Sequence, residues 1–263
     1  MNRVAVCVST DILYLQYTNN LLHSTVNHCP EMDIYCRLIL STDDHYDCRN
    51  DRITIIRDNT NLCSKKKLCK TTSSDLYYGY NGSLKTITGL RNIRNTLYSL
   101  RAVYSCHSRF KTIHELMLRG YEYIITLDAD SIIVDQFTDD LITVMQNYDM
   151  GVVPYLDDDG SVFPFRNEGL LVFRNNSTTQ SKVKSINNYL FTDGHYKHWD
   201  ADTTALEHHC SDLKVLYLDE KFKDHQHKPS SKIWAGGNNK YNDIFTEYRQ
   251  HLTSDMILIN AHM

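Results

Sequence analysis

Glycine and proline are scarce in this sequence, which has 10 glycines and 4 prolines among 263 residues. Average usage is roughly 7% for glycine and 5% for proline, so collagen-like and low-complexity chains are excluded. No proline- or glycine-rich linker and no internal repeat divides the chain. The length suits one α/β domain. We therefore expect residues 1–263 to form a single domain, in which 58–82 is a polar, flexible loop or lid.

Long apolar runs and a net positive charge are also missing. No stretch reaches the roughly 18 consecutive apolar residues that a membrane-spanning helix needs. The N-terminal apolar run, RVAVCV at 3–8, is too short for a signal peptide. The net charge of −4 disfavours a general nucleic-acid binder. We expect a cytoplasmic protein without a transmembrane segment, and peripheral association with a membrane stays open.

The eight cysteines form neither a CxxC pair nor the Cys–His spacing of a zinc finger. Cys7 and Cys36 fall within predicted strands, where a thiol acts as a small apolar group. Reduced cysteines of this kind are typical of cytosolic proteins. We therefore expect no disulfide framework.

Short apolar runs alternate with segments of helical periodicity along the whole chain. Runs typical of buried strands occur at 3–8, 34–40, 53–56, 121–127, 151–154, 169–173, 213–218 and 256–259. Helical patterns lie between them, at 84–104, 110–120, 179–191 and 242–252 among others. This rhythm predicts a mixed, mainly parallel sheet flanked by helices.

Two aspartates, Asp128 and Asp130, directly follow a strand-like run in YEYIITLDADSII, residues 121–133. On a continuing strand, side chains two residues apart point to the same face. Two carboxylates that close repel each other unless a cation lies between them. Their hard oxygens suit Mg²⁺ or Mn²⁺, which often also hold substrate phosphates. The pair therefore predicts a metal–diphosphate site, although a polar strand end without function is the simpler alternative.

Several segments resemble, in the same order, those of glycosyltransferase family 8, the glycogenin and lipopolysaccharide galactosyltransferase group. VAVCVSTDILYLQYTNNLLHS at 4–24 is similar to the family's first strand and its T-D-x-x-Y-L segment, through Thr10, Asp11, Tyr14 and Leu15. FKTIHELMLRGYEYIITLDADSIIV at 110–134 resembles the family's helix–strand–DxD block. The resemblance extends over nearly the whole chain.

Two further segments carry the resemblance with departures. RNEGLLVF at 166–173 is similar to the family's N-S-G segment, with Asn167 and Gly169 retained and Glu168 in place of Ser. DADTTALEH at 200–208 resembles the family's D-Q-x-x-L-N helix start, where Asp202 matches but Thr203 replaces Gln.

The resemblance implies a GT-A fold and a metal-dependent transferase. The donor would be a nucleotide diphosphate sugar, with a UDP-sugar favoured, and the acceptor a hydroxyl of a glycan or another molecule. Asp128, Ala129 and Asp130 would bind the donor and a Mn²⁺ or Mg²⁺ ion. Lys111 would act in catalysis by adding positive charge at the diphosphate, and Arg109 is a nearby substitute. A solvated helix face is the alternative for Lys111.

Other residues receive donor roles from the same resemblance. Thr10, Asp11 and Tyr14 would form the pocket for the base and the ribose. Helix capping by Asp11 and core packing by Tyr14 are the alternatives. Asn167 and Asp202 would complete the catalytic set by hydrogen bonding to sugar hydroxyls, and the family implies retention of the anomeric configuration.

The third metal ligand is harder to place, because the family's closing H-F-x-G-x-x-K-P-W motif is not intact. His262 follows an apolar strand, as the family's metal-binding histidine does, and we expect it to join Asp128 and Asp130. His227 and His225 are alternatives. A site without a protein histidine also stays open.

Rival functions fit the sequence less well. An inverting transferase would need a base such as Asp200, Asp202 or Glu168. A phosphatase using Asp128 as nucleophile and Asp130 as acid/base would carry the motif on its first strand. A nucleotidyltransferase would need a glycine-rich loop that STDILYLQY lacks. An inactive sugar-nucleotide-binding protein is disfavoured by the intact acidic pair.

Overall fold

The computed structural model describes residues 3–12, 14–40, 46–60, 77–78, 84–85, 90–156, 159–165, 169–197, 201–236, 243–252 and 257–260. Most of the predicted loop 58–82 therefore lies outside the described residues, and its flexibility stays a prediction.

Helices and strands alternate along the chain. The helices are α1 (Leu15–His28), α2 (Leu90–Leu118), α3 (Thr138–Met145), α4 (Ser177–Asn187), α5 (Ala201–Cys210) and α6 (Asp243–Leu252). The strands are β1 (Val4–Asp11), β2 (Asp33–Ile39), β3 (Tyr46–Cys48), β4 (Ile53–Asp58), β5 (Tyr77–Tyr78), β6 (Leu84–Lys85), β7 (Tyr123–Leu127), β8 (Ile132–Ile133), β9 (Met150–Val152), β10 (Tyr155–Leu156), β11 (Val162–Phe163), β12 (Leu170–Arg174), β13 (Val215–Tyr217), β14 (Ile233–Trp234) and β15 (Leu258–Asn260). A π-helical turn follows α4, and 3₁₀ turns occupy His195–Lys197 and Glu220–Phe222.

Seven strands form one sheet in the order β13–β9–β12–β7–β1–β2–β4. Strand β12 is antiparallel to both of its neighbours, and the other four pairs are parallel. The six remaining strands therefore end at the same side of the sheet, which we call the carboxyl edge. The predicted mixed, mainly parallel sheet is confirmed.

The sheet has an apolar layer on each face because its central strands are apolar on both sides. In β1, Val4, Val6 and Val8 pack on the layer that includes α1 and α3, whereas Ala5 and Cys7 pack on the layer that includes α2, α4 and α5. Alternation with a period of two produces this division. Helices therefore cover both faces of the sheet. Its carboxyl edge is left as the place where functional groups can meet a ligand.

Helix α2 corrects one prediction. The sequence suggested separate helices at 84–104 and 110–120, but β6 occupies 84–85 and one helix runs from Leu90 to Leu118. The segment between the two predicted helices contains neither glycine nor proline, so nothing interrupts the helix. Phe110, Ile113 and Met117 are buried as predicted. Gly120, at φ +80°, ends the helix.

The last described strand is fastened to the first helix. Asn19 of α1 donates to the carbonyl oxygen of Leu258 at 3.2 Å, and its side-chain oxygen accepts the Leu258 N–H at 2.7 Å. Strand β15 also pairs antiparallel with β3. The C-terminal strand is thus held next to the main sheet by one amide side chain and a short ladder.

The six cysteines in the described ranges, Cys7, Cys29, Cys36, Cys48, Cys106 and Cys210, are free thiols. Burial raises the pKa of Cys7 to about 12, so this thiol is a packing group. Among the helices that the structure describes, none has the combined length and apolar character needed to cross a bilayer.

Candidate active site

Polar side chains collect at the carboxyl edge of the sheet. Thr10 and Asp11 end β1, Asp58 ends β4, and Asp128 follows β7. Asp202 lies in the first turn of α5. Because ligands of open α/β sheets bind outside the carboxyl ends of the strands, this edge is the candidate active site.

The acidic pair lies in a turn, which corrects the expectation of a continuing strand. Strand β7 ends at Leu127, and the Ser131 N–H donates to the Asp128 carbonyl oxygen at 3.0 Å. The Asp128 N–H donates to the Gly169 carbonyl oxygen, also at 3.0 Å. Asp128, Ala129 and Asp130 are half-buried there. The turn brings the pair out of the sheet and toward its edge.

Two glycines lie against the two carboxylates. A Cβ at Gly169 would lie 2.7 Å from Asp128 Oδ2, and a Cβ at Gly236 would lie 2.6 Å from Asp130 Cγ. Neither glycine has a positive φ. The absence of a side chain, rather than an unusual backbone, is therefore what these two positions require.

A buried arginine joins the acidic turn to α5. Arg109 Nη1 is 3.4 Å from Asp128 Oδ1, and Nη2 is 3.1 Å from Asp202 Oδ2. Its Nε donates to the Cys106 carbonyl oxygen at 2.7 Å, which fixes the plane of the guanidinium. The side chain is only 8% exposed, so its charge acts at low local dielectric.

Lys223 brings a second cation to the same place. It is buried, and its Nζ would be 2.6 Å from a Cβ at Gly169, the same point that lies 2.7 Å from Asp128 Oδ2. The ammonium group and the Asp128 carboxylate therefore both lie against Gly169. The 3₁₀ turn Glu220–Phe222 delivers Lys223 from a part of the chain that carried no predicted role.

Lys111 lies in a different cluster from Arg109. Its Nζ donates to the Tyr104 hydroxyl at 2.6 Å and lies 4.2 Å from the centre of the Phe191 ring. Burial lowers the pKa of Lys111, and the nearby Asp58 acts in the opposite direction. Its role at the diphosphate stays a prediction. The residue of α2 that contacts Asp128 is Arg109, two positions earlier.

The residues expected to hold the base and ribose lie at the junction of β1 and α1. Thr18 Oγ1 donates to Thr10 Oγ1 at 2.7 Å, and the Tyr14 N–H donates to Asp11 Oδ1 at 3.3 Å. Thr10 and Asp11 are buried, and the half-buried Tyr14 packs against Tyr17. These contacts stabilise the start of the helix, and the donor role of the three residues stays a prediction.

The histidine candidates differ in their surroundings. His227 is buried between the rings of Trp234 and Phe245, with Nε2 3.1 Å from the Ala235 carbonyl oxygen. His225 is half-buried and close enough to Asp128 for their charges to interact; burial lowers its pKa and Asp128 opposes this. His262, Asn167, Glu168 and Asp200 lie outside the described residues.

The donor set suits a hard divalent cation only in part. Within the ranges that the structure describes, no three His, Cys, Asp or Glu side chains are gathered closely enough to hold a metal ion. Asp128 and Asp130 do offer carboxylate oxygens on one turn, and two glycines let the chain pack directly against them. Mg²⁺-type sites commonly use one or two carboxylates together with substrate phosphates and water, and the residues present fit such a site.

Sequence reasoning missed several members of this site. Lys223 and Gly236 received no role, and Arg109 was named only as a substitute. The signal available for Arg109 was its position directly before the helix–strand–DxD block that begins at Phe110. Lys223 and Gly236 come from a loop region whose path depends on the whole fold.

Comparison with known proteins supports the fold. No protein-family model matches this sequence, and no match was found among curated proteins. The glycosyltransferase GlyE of Streptococcus pneumoniae TIGR4 matches with a TM-score of 0.57 at 12% identity, over 97% of this chain and 61% of that one. The galactosyltransferase LgtC, solved with donor and acceptor sugar analogues, matches with a TM-score of 0.51 at 14% identity, over 96% and 97%.

This chain therefore spans only 61% of the length of the GlyE structure, but nearly all of LgtC. Identities this low speak for the fold alone. The chain has the GT-A fold of these glycosyltransferases, as its sequence predicted.

Proposed function

We propose that this protein is a metal-dependent glycosyltransferase that moves a sugar from a UDP-sugar to an acceptor hydroxyl with retention. The proposal includes the family 8 type suggested by the sequence and a cytoplasmic location. The acceptor is a glycan or another hydroxyl compound.

The acidic turn at the carboxyl edge carries this proposal. Asp128 and Asp130 lie where ligands bind to α/β sheets, and the absence of a side chain at Gly169 and Gly236 lets the chain approach both carboxylates closely. The buried cation Arg109 contacts the same turn. Negative and positive groups side by side suit a ligand that combines a cation with a diphosphate.

The roles of the residues follow from their charges. Asp128 and Asp130 would hold Mn²⁺ or Mg²⁺, which when bound neutralises charge on the leaving diphosphate. Arg109 orients Asp128 and Asp202 through its two nitrogens. Lys223 supplies a fixed positive charge beside Asp128, which favours the developing charge of the leaving group.

The inverting alternative with Asp202 as base gains no support from the geometry. Asp202 is buried, Oδ1 accepts the Thr203 N–H at 3.1 Å, and Oδ2 lies 3.1 Å from Arg109 Nη2. Taking up a proton as a base would cost one of these two contacts, whereas each oxygen keeps a second lone pair for a hydroxyl. A contact to a hydroxyl of the donor sugar makes smaller demands on the carboxylate. Asp200 is outside the described residues.

A thermal-shift experiment tests donor and metal binding directly. UDP with Mn²⁺ should raise Tm more than either alone, following the linkage relation for ligand binding. Asp130→Ala should abolish this increase, and Asp139→Ala, which removes an exposed carboxylate from the first turn of α3, should leave it intact. An Asp130→Ala protein that still responds to UDP and Mn²⁺ would contradict the proposal.

Turnover and stereochemistry need a second experiment. UDP release should be followed with UDP-glucose, UDP-galactose, UDP-N-acetylglucosamine and UDP-xylose in the presence of Mn²⁺. Anomeric NMR of the product then decides between retention and inversion. Comparing His262→Ala with His225→Ala in the same assay at increasing Mn²⁺ identifies the histidine ligand, since losing a ligand raises the Mn²⁺ concentration required.

A further inference from the structure

His107 is a buried polar side chain for which the proposed chemistry has no use. It lies in α2, two residues before Arg109, and it is 0% exposed. Its Nδ1 is 3.1 Å from the Tyr196 carbonyl oxygen, and its Nε2 is 3.3 Å from Asp202 Oδ1. Burying an imidazole costs free energy unless its nitrogens have polar partners. Nδ1 thus has the Tyr196 carbonyl oxygen as a hydrogen-bonding partner, whereas Nε2, which forms no hydrogen bond within the described residues, faces the Asp202 carboxylate.

The two contacts bracket one connection of the chain. Tyr196 belongs to the 3₁₀ turn His195–Lys197, and Asp202 belongs to the first turn of α5. One side chain from α2 therefore contacts both ends of the segment that leads into α5. An apolar side chain could fill the same volume, but it could not orient either end.

Asp202 lies between His107 and Arg109. Its Oδ1 faces His107 and accepts the Thr203 N–H, and its Oδ2 faces Arg109. The charged group beside His107 Nε2 is therefore Asp202, which Arg109 also contacts. A carboxylate held from two sides by a helix of the scaffold has little rotational freedom, which is what precise contact to a substrate needs.

We propose that His107 is a positioning residue, which through Nε2 sets the orientation of the Asp202 carboxylate toward the donor sugar. This inference rests on the proposed function, because it assigns Asp202 a contact with the transferred sugar. His107 itself does not touch the substrate. Its effect on turnover passes entirely through Asp202.

Two conservative substitutions test the contributions of the two ring nitrogens of His107 separately. The amide nitrogen of glutamine reaches the place of Nε2, and that of asparagine reaches the place of Nδ1. We expect His107→Gln to keep kcat for UDP-sugar turnover within about threefold of the wild type. His107→Asn should lower kcat roughly 10- to 100-fold, the cost of a misplaced group near the reacting atoms.

The split between binding and turnover distinguishes positioning from general destabilisation. KM for the UDP-sugar and the Tm increase with UDP and Mn²⁺ should not change in His107→Asn. His114→Asn, on the same helix, is the control and should change neither quantity. In the Asp202→Asn background, His107→Asn should cost nothing further, because the two residues act as one unit. Equal kcat values for the Gln and Asn variants, or additive losses in the double variant, would overturn the proposal.

A spectroscopic measurement keeps the inference testable if a variant folds poorly or the wild type turns over no UDP-sugar. The ring ¹⁵N signals of His107 should be assigned in the full chain and in Asp202→Asn. We expect the Nε2 signal to shift and the Nδ1 signal to stay nearly unchanged. An Nε2 signal that does not respond to Asp202→Asn would show that the contact is absent and would refute the proposal. Absence of turnover with a responsive Nε2 signal would instead refute the proposed function.

Discussion

Gly236 lies directly against Asp130: a Cβ at residue 236 would be 2.5 Å from the Asp130 carbonyl oxygen and 2.6 Å from its Cγ. Real Cβ atoms do not approach other atoms so closely. One of the close atoms belongs to the backbone, so a rotation of the Asp130 side chain alone cannot relieve the contact. The position of the second carboxylate is thus tied to the absence of a side chain at residue 236.

Gly236→Ala should therefore weaken donor binding more than it weakens the fold. Overpacking costs about 1–3 kcal/mol, and 1.4 kcal/mol corresponds to a tenfold change in affinity. We expect the Kd for UDP with Mn²⁺ to rise about tenfold or more, as measured by titration calorimetry. Val144→Ala, an exposed change on α3, serves as the control. An unchanged Kd in a folded Gly236→Ala protein would show that the carboxylate is not where the ligand binds.

Substitution of Lys223 should affect kcat, whereas substitution of Lys111 should affect stability. Lys223→Met should lower kcat about 100-fold, since it removes a buried positive charge beside Asp128. Lys111→Met should change kcat little and instead change the free energy of unfolding, because Lys111 donates to Tyr104 and lies over Phe191. Steady-state UDP release and urea denaturation on both variants provide the comparison. A larger loss of kcat in Lys111→Met would restore the role that the sequence suggested.

The two lysines show how much of the candidate site could be predicted from the sequence. Helical periodicity correctly predicted the buried face of α2, through Phe110, Ile113 and Met117. It could not tell which polar neighbour of that face, Arg109 or Lys111, leans toward β7, because that depends on how the helix crosses the sheet. Lys223 carried no local signal at all, since a long-range return of the chain places it against Gly169.

The surroundings of the acidic pair were also predicted only in part. The apolar run of β7 predicted both the strand and the position of the carboxylates at its end. The turn is closed by the hydrogen bond from the Ser131 N–H to the Asp128 carbonyl oxygen, whereas the Asp128 N–H still continues the ladder with β12 through Gly169. The apolar residues on both sides of the pair favoured a continuing strand, and that expectation was wrong.

Asp58 should make the fold sensitive to acid. It is buried at the end of β4, with Oδ2 3.1 Å from Arg37 Nη1 and Oδ1 accepting from Thr60. Burial acts to raise the pKa of Asp58, but the hydrogen bonds from Thr60 and the charges of Lys111 and Arg37 outweigh it and hold the pKa below its usual value. The ionised form is therefore favoured in the folded protein.

Because the pKa is lower in the folded state, the unfolded state takes up protons first as the pH falls. The stabilisation from Asp58 should be complete above its unfolded pKa of about 4 and should be lost as the pH falls through the lower folded value. Asp58→Asn should cost about 2 kcal/mol at pH 7, because it removes one of the two carboxylates that pair with the buried Arg37 and leaves only Glu115. Urea denaturation at pH 7 and at pH 3 should show the cost shrinking in acid. The exposed Asp51→Asn is the control, and a cost independent of pH would contradict the assignment.

Asn19 should decide whether the C-terminal strand stays in place. Its side chain is the partner of both the N–H and the carbonyl oxygen of Leu258, and all of these groups are buried. Asn19→Ala leaves two backbone groups unsatisfied, at roughly 1–3 kcal/mol each, so the free energy of unfolding should fall by about 3 kcal/mol. Asn27→Ala, exposed on the same helix, should change it by less than about 0.5 kcal/mol.

Asn19→Ala also tests whether His262, which follows β15, binds the metal ion. Strand β15 ends at Asn260, two residues before His262, the histidine that the sequence predicts as a ligand. If His262 binds Mn²⁺, loosening β15 should raise the Mn²⁺ concentration needed for half-maximal UDP release in Asn19→Ala, by a factor similar to that in His262→Ala. An Asn19→Ala enzyme that is less stable but has an unchanged Mn²⁺ requirement would place the histidine ligand elsewhere, with His225, beside Asp128, as the next residue to test.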